Sequence, residues 1–278
     1  MIRRIPWVAA FLSAAVLSTC ALWLNSRSGQ LRLVMWQHGL TAGALASGQI
    51  EDEPQLTSYG LDPEGVYKLA SLSKPITAAA ILRLVQGGKL SLTDRIGDAT
   101  VQQLLQHSGG WDRAIAGDPF CAADEALAKQ FRPGTRYAYS NLGYCLLSRE
   151  IERRSGMSYE RYARSVLPKG SHLRVGIPSL SGAGGWVGSP SDYFAFASQP
   201  LRPLTSAPPV YAPRGQSYYG LGWRVWPDGT LSHFGYLPGS YSIVFRRGGF
   251  VVVGVFSGDP ENPEATTTRL KRVLIDRS

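Results

Sequence analysis

The stretch LASLSKPITAAAILRLVQGG, Leu69 to Gly88, decides how the rest of the chain is read. Pro75 belongs in the first turn of a helix, because deeper inside it would remove a backbone hydrogen bond and clash with the turn before it. The helix is therefore expected to open close to Ser71 and to run from Ile76 to Gln86, with Gly87 and Gly88 stopping it. Ala79, Ala80, Ile81, Leu84 and Val85 make it apolar nearly all round, as in a buried helix. Ser71 and Lys74 stand three apart where it opens and so share a face. A serine is inert at neutral pH unless a neighbour takes its proton, and a helix N-terminus favours developing negative charge. Alone, Ser-x-x-Lys recurs by chance in many chains, so partners elsewhere must give it meaning.

Around this stretch the 278 residues have a globular composition, 44% hydrophobic and 18% charged. The net charge of +9 comes from scattered Lys and Arg, with adjacent runs no longer than pairs such as Arg3-Arg4, Arg153-Arg154 and Arg246-Arg247. Without a basic segment of five to eight residues, no nucleic-acid partner is expected. HExxH, paired CxxC, GxGxxG, the P-loop and GxSxG are all missing from the sequence. Zincins, dinucleotide sites, P-loop enzymes and the usual α/β-hydrolase elbow lose their main support, and no metal or cofactor is expected. His38, His107 and His172 have no ligand spacing, and His107 reads as a structural hydrogen-bonder at a helix end. Cys121 and Cys145 are left as either a bridge or two buried thiols.

At the N-terminus, Arg3 and Arg4 precede an uncharged apolar run from Ile5 to Leu24, long enough to span about 30 Å of hydrocarbon. The favoured reading is an uncleaved signal-anchor, with a cleaved export signal as the alternative; either puts the chain from about residue 28 onward outside the cytoplasm. Leu31 to Trp36 reads as a strand, with residues 41–50 returning beside it. From 101 to 199 the chain reads as short helices and loops, Val101–Leu105 and Leu142–Arg154 being the clearest helices. The period then changes to an antiparallel meander: Leu221–Trp226, Leu231–Phe234, Tyr241–Arg246 and Phe250–Ser257. Ala265 to Ile275 closes the chain as an amphipathic helix.

Two partners for Ser71 and Lys74 follow in order. Tyr139-Ser140-Asn141 comes after the turn string Arg132-Pro133-Gly134-Thr135, and His233-Phe234-Gly235 lies on a strand of the meander. With these, the chain resembles the serine β-lactamase and penicillin-binding protein superfamily, specifically its class C β-lactamase, DD-carboxypeptidase and esterase branch. The resemblance covers most of residues 60 to 257 and rests on blocks 69–98, 101–112, 132–152, 182–192 (GAGGWVGSPSD), 219–223 (YGLGW) and 233–242 (HFGYLPGSYS). It implies an α+β fold, an antiparallel five-stranded sheet flanked by helices with an inserted, mostly helical domain. The sheet part would take about 28–95 and 205–278, and the helical part about 96–204.

The resemblance also implies roles. Ser71 would be the acylated nucleophile, Lys74 the cation beside it, and Tyr139 the general base and acid. Asn141 would orient Lys74 and the substrate amide. The backbone N–H groups of Ser71 and Tyr236 would form the oxyanion hole, and Gly235 would be small so that substrate can lie along the strand edge. His233 stands where class C enzymes carry a lysine, so it is read as a substrate-binding residue that supplies positive charge only as the pH falls through about 6.5. The expected activity is serine hydrolysis through an acyl-enzyme on an amide or ester, with a D-alanyl cell-wall peptide or a β-lactam-like compound as the expected substrate. The alternative is a penicillin-recognising sensor that acylates with little turnover.

Overall fold

The computed structural model describes residues 26–117, 121, 128–200, 208–209, 211–212 and 215–276. The apolar run from 5 to 24 lies outside them, and among the described residues no helix is long and apolar enough to cross a membrane. Two compact units are distinguishable: the described residues up to 41 with those from 259, and residues 42–258.

The first unit pairs helix α1 (Arg27–Gln37) with the C-terminal helix Pro263–Leu274. Ser26 caps α1, its side chain accepting from the Gly29 N–H at 3.0 Å. The Arg27 guanidinium donates to the Leu274 carbonyl, and Thr266 Oγ1 lies 2.9 Å from His38 Nδ1. The strand expected over Leu31–Trp36 is therefore a helix. Leu31, Val34 and Met35 are buried at helical spacing while Leu33 and Trp36 are exposed. Six residues that alternate only over Leu-Arg-Leu cannot separate a period of 2 from one of 3.6.

In the second unit, β1 (Leu40–Gln49) and β2 (Gln55–Tyr59) form a hairpin, and β3 (Tyr67–Lys68) leads into a 3-10 turn at Ala70–Leu72 and helix α2 (Ser73–Gln86). Helices α3 (Val101–Leu105) and α4 (Asn141–Ser155) follow. Then come β4 (Arg174–Val175), the four-residue helix α5 (Ser181–Gly184), β5 (Trp186–Gly188) and α6 (Pro190–Ser198). The chain finishes the unit with β6 (Tyr218–Tyr219), β7 (Arg224–Val225), β8 (Leu231–Leu237), β9 (Ser240–Arg247) and β10 (Phe250–Gly258).

The main sheet has the order β2-β1-β10-β9-β8-β7-β6, seven strands where five were expected. One extra comes from β2, a largely exposed edge strand whose polar composition hides it. At the other edge, Leu221–Trp226 is not one strand. Gly222, at φ +88°, and the Gly220 N–H, which donates to the Trp223 carbonyl at 2.7 Å, fold it into the short β6–β7 hairpin. The centre of the sheet is apolar and β-branched: Val244 faces Val253 and Phe245 faces Val252 across β9–β10. A small second sheet runs β3-β5-β4.

Helix α2 is the core of the helical side, with Ile76, Ala78, Ala80, Ile81 and Leu84 inaccessible to solvent. It packs on α4 and α5. Cys121 and Cys145 form a disulfide, tying the segment before Tyr139 to α4. At the far end of α4, Arg153 and Arg154 flank the buried Glu150 carboxylate, with Arg154 Nη2 reaching Asp94 Oδ2 at 2.9 Å.

Candidate active site

Ser71 sits in the 3-10 turn that feeds α2, directly after Ala70, whose φ of +48° makes the turn sharp. The turn is held from several directions. Ser73 Oγ donates to the Ala70 carbonyl at 2.6 Å and accepts from the Trp186 N–H at 3.0 Å. The Leu69 N–H donates to the Trp186 carbonyl at 3.0 Å, and the Tyr193 hydroxyl donates to the Leu72 carbonyl at 2.8 Å.

Lys74, one turn on, is completely buried. Its Nζ donates to Ser71 Oγ at 3.1 Å, Asn141 Oδ1 at 2.6 Å and the Ala183 carbonyl at 2.6 Å. An ammonium has three donors and no acceptor, so these three partners match its charged form one for one. The Tyr139 hydroxyl donates to Ser71 Oγ at 2.8 Å, and Lys74 Nζ lies 4.8 Å from the centre of the Tyr139 ring. Ser140 caps α4, accepting from the Leu142 N–H at 3.2 Å, which makes Asn141 the first residue of that helix and aims its amide back at Lys74. Four expected site residues, Ser71, Lys74, Tyr139 and Asn141, thus form one hydrogen-bonded group.

Strand β8 runs beside this group, carrying His233, Gly235 and Tyr236. A Cβ on Gly235 would come within 2.3 Å of the Leu69 carbonyl oxygen, 2.5 Å of Ser242 Oγ and 2.9 Å of the Ser71 nitrogen. The expected reason for this glycine was room for substrate. The contacts supply another: the chain's own Ser71 turn packs against the strand there. They also put the Gly235–Tyr236 backbone next to the Ser71 amide. Tyr236 pairs with Tyr241 on β9 and is 40% exposed.

His233 requires a correction. It is 5% exposed, and both ring nitrogens are engaged: Nδ1–H donates to the Phe234 carbonyl at 2.7 Å, and Nε2 accepts from the Tyr219 hydroxyl at 2.7 Å. Burial first, then the Lys74 and Arg224 charges, push its pKa down to about 3 against the opposing Phe234 hydrogen bond. It therefore does not become a cation near pH 6.5. It is a neutral hydrogen-bonding link between Tyr219 and β8.

Two contributors escaped the sequence reading. The Ala183 carbonyl is a backbone atom in the GAGGW block, where no side chain marks it. Ser73 lies inside the Ser-x-x-Lys tetrapeptide and reads as a spacer. His107 does hydrogen-bond at a helix end, as expected, its Nδ1 accepting from the Ser140 N–H at 3.3 Å. Among the described residues no group of three or more His, Cys, Asp or Glu side chains is gathered as a metal site.

The family model described as Beta-lactamase matches residues 35–277. The chain belongs to the beta-lactamase family. Among curated relatives, a penicillin-binding protein of Bacillus subtilis is 33% identical over 136 residues, 40% of this chain and 30% of that protein. Penicillin-binding protein 4 of Amycolatopsis lactamdurans is 26% identical over 171 residues, 51% of this chain and 42% of that protein. The match spans about a third of the length of the first curated relatives of this beta-lactamase-family chain. The D-amino acid amidase of Ochrobactrum anthropi SV3, complexed with D-phenylalanine, superposes with a TM-score of 0.74 at 20% identity, covering 92% of this chain and 99% of that one. At that identity the likeness shows the shared fold.

Proposed function

We propose that this beta-lactamase-family chain is a serine hydrolase that forms an acyl-enzyme on an amide or ester. The observation that carries the reading is the chain of contacts from Lys74 Nζ through Ser71 Oγ to the Tyr139 hydroxyl, at 3.1 and 2.8 Å. In the acylation step, which starts once Tyr139 has lost its own proton to solvent beside the Lys74 charge, Ser71 Oγ bonds to the substrate carbonyl carbon as its proton passes to the Tyr139 phenolate. The carbonyl oxygen becomes an oxyanion, received by the N–H groups of Ser71 and Tyr236. The C–N or C–O bond then breaks and Tyr139 returns the proton to the leaving group. Deacylation repeats the sequence with water: Tyr139 takes its proton, hydroxide bonds to the acyl carbon, and Ser71 leaves reprotonated. Lys74 keeps its charge throughout, with no lone pair free to act as the base.

For substrate, the similarity to penicillin-binding proteins and to a D-amino acid amidase supports a D-alanyl cell-wall peptide or a β-lactam-like compound, with simple esters as surrogates. The run from Ile5 to Leu24 would hold the hydrolase on the extracytoplasmic side of the membrane.

The test is intact-protein mass spectrometry after exposure to a penicillin and to an activated ester, followed over time. A transient adduct on the natural chain and none on Ser71→Ala is the expected result. A persistent adduct on Ser71 would make the protein a sensor, and an adduct retained by Ser71→Ala would overturn the assignment.

A further inference from the structure

Among the buried titratable groups that the mechanism above leaves unused, His107 stands out because three local costs meet at it. It occupies the left-handed region, φ +54°, at the end of α3, where glycine or asparagine is the ordinary choice. It is 2% exposed. Its Nε2 is buried without a hydrogen-bond partner. A position that only filled space would be served at lower cost by an apolar residue.

What the residue does is visible in its contacts. The His107 carbonyl accepts from the Ala138 N–H at 2.8 Å, and its Nδ1 accepts from the Ser140 N–H at 3.3 Å. The residues on both sides of Tyr139 are thus fastened to this one residue. The ring also lies against the Tyr139 ring, centres 4.2 Å apart and planes 31° off parallel. Behind it stand Tyr144 at 5.1 Å and Tyr219 at 4.4 Å, with Tyr137 at 6.1 Å. The Tyr144 hydroxyl is fixed on the Leu105 carbonyl and the Tyr219 hydroxyl on His233, so the backing does not yield.

We propose that His107 is the positioning residue of the general base: it fixes the Tyr139 phenol on Ser71 through its ring Nδ1, which accepts from the Ser140 N–H, its carbonyl, which accepts from the Ala138 N–H, and one ring contact. The role requires an unprotonated Nδ1, hence the neutral tautomer with the proton on Nε2. The titratable groups facing the ring are Lys74, Arg113, His233 and the four tyrosines named above. Burial first, then the charges of Lys74 and Arg113, hold its pKa well below the usual histidine value. The acceptor is therefore present across the working pH range. The inference rests on the acyl-serine reading and deepens it.

The test uses full-length protein carrying His107→Phe, His107→Asn or His107→Gln, with ester hydrolysis followed from pH 5 to 10. Phe keeps a flat ring and loses the acceptor. Asn tolerates the left-handed backbone and carries an oxygen near the place of Nδ1, whereas Gln carries its oxygen one bond further out. His107→Phe is expected to lower kcat about 10- to 100-fold, as a slightly displaced catalytic group does, with KM changed less than about 3-fold. It should also move the acid limb of kcat/KM to higher pH by about half a unit or more, because Tyr139 is no longer held beside the Lys74 charge. His107→Asn should recover most of kcat and the original limb, and His107→Gln should not. Equal activity of the Asn and Gln variants, or a His107→Phe enzyme with unchanged kcat and pH profile, would overturn the proposal. If the Phe variant lacks a native circular-dichroism spectrum, the Asn and Gln pair decides alone. Ser71→Ala turning over as fast as the natural chain would instead sink the acyl-serine reading beneath it.

Discussion

At the scale of single residues, general-base assistance contributes roughly 10²- to 10⁴-fold, so Lys74→Ala and Tyr139→Phe should each lower ester turnover by at least about 100-fold. Steady-state rates on an activated ester check this directly. Gly235→Ala should be nearly as damaging for a different reason. Its methyl would meet the Leu69 carbonyl and the Ser71 nitrogen, both backbone atoms, so the Ser71 turn itself must shift. Its acylation rate is expected to fall together with its melting temperature, and a variant slow but fully stable would mean that substrate, not the turn, occupies that space. His233 yields a pH prediction opposite to the one its identity suggests. Because burial lowers its pKa to about 3, turnover of carboxylate-bearing substrates relative to neutral esters should stay level between pH 8 and pH 5.5. A ratio that climbs below about pH 6.5 would require an imidazole titrating at its ordinary value within reach of substrate.

At the scale of elements, α4 joins the site to the rest of the helical side. Asn141 starts it, Cys145 bridges to Cys121 near its middle, and Glu150 with Arg153 and Arg154 anchors its end. The bridge joins cysteines 24 positions apart in sequence, a loop for which chain entropy gives about 3 kcal/mol. Reduction, or Cys121→Ser with Cys145→Ser, should therefore lower the unfolding free energy read from a denaturant titration by that amount while leaving Ser71 acylable below the transition. Burial pushes the Glu150 carboxyl up, but its hydrogen bonds to Arg153 and Arg154 win and hold it below the usual carboxylate range. A group whose folded pKa is depressed stabilises above its unfolded value, about 4.3 for glutamate, and loses that contribution as the pH falls through the folded one. Glu150→Gln should therefore lower the melting temperature at pH 7, with the difference shrinking below about pH 4.5. Elements differ in how plainly the sequence announces them. Helix α2, the α4 helix and strands β8 to β10 were legible because their periods run long enough and end in Gly or Pro. Helix α1 was misread because its run is short, and β2 was missed because an exposed edge strand needs no apolar face. In the site, Ser71 and Lys74 follow from helical spacing, while Tyr139 and Asn141 were reachable only through resemblance. The Ala183 carbonyl and the engagement of His233 follow from tertiary packing, which no local pattern encodes.

At the scale of the whole molecule, the N-terminal reading predicts that full-length protein stays with the membrane through an alkaline carbonate wash. Recovery of most of it as a soluble form beginning near residue 25 would show a cleaved signal instead. A last consequence comes from the three acceptors around Lys74. Ser71 lies beside it in sequence, but Asn141 is 67 residues away and Ala183 is 109. A chain in which either distant segment has yet to dock leaves a buried ammonium short of partners, which desolvation makes unfavourable, and the serine beside it unactivated. On the proposed acyl-serine reading, Ser71 is therefore a reporter of completed folding: an ester probe on it should count finished molecules only. In a urea titration, labelling should vanish at or before the loss of the circular-dichroism signal. A nascent or half-unfolded copy of this protein is then chemically silent, armed only when its last segment closes over the lysine.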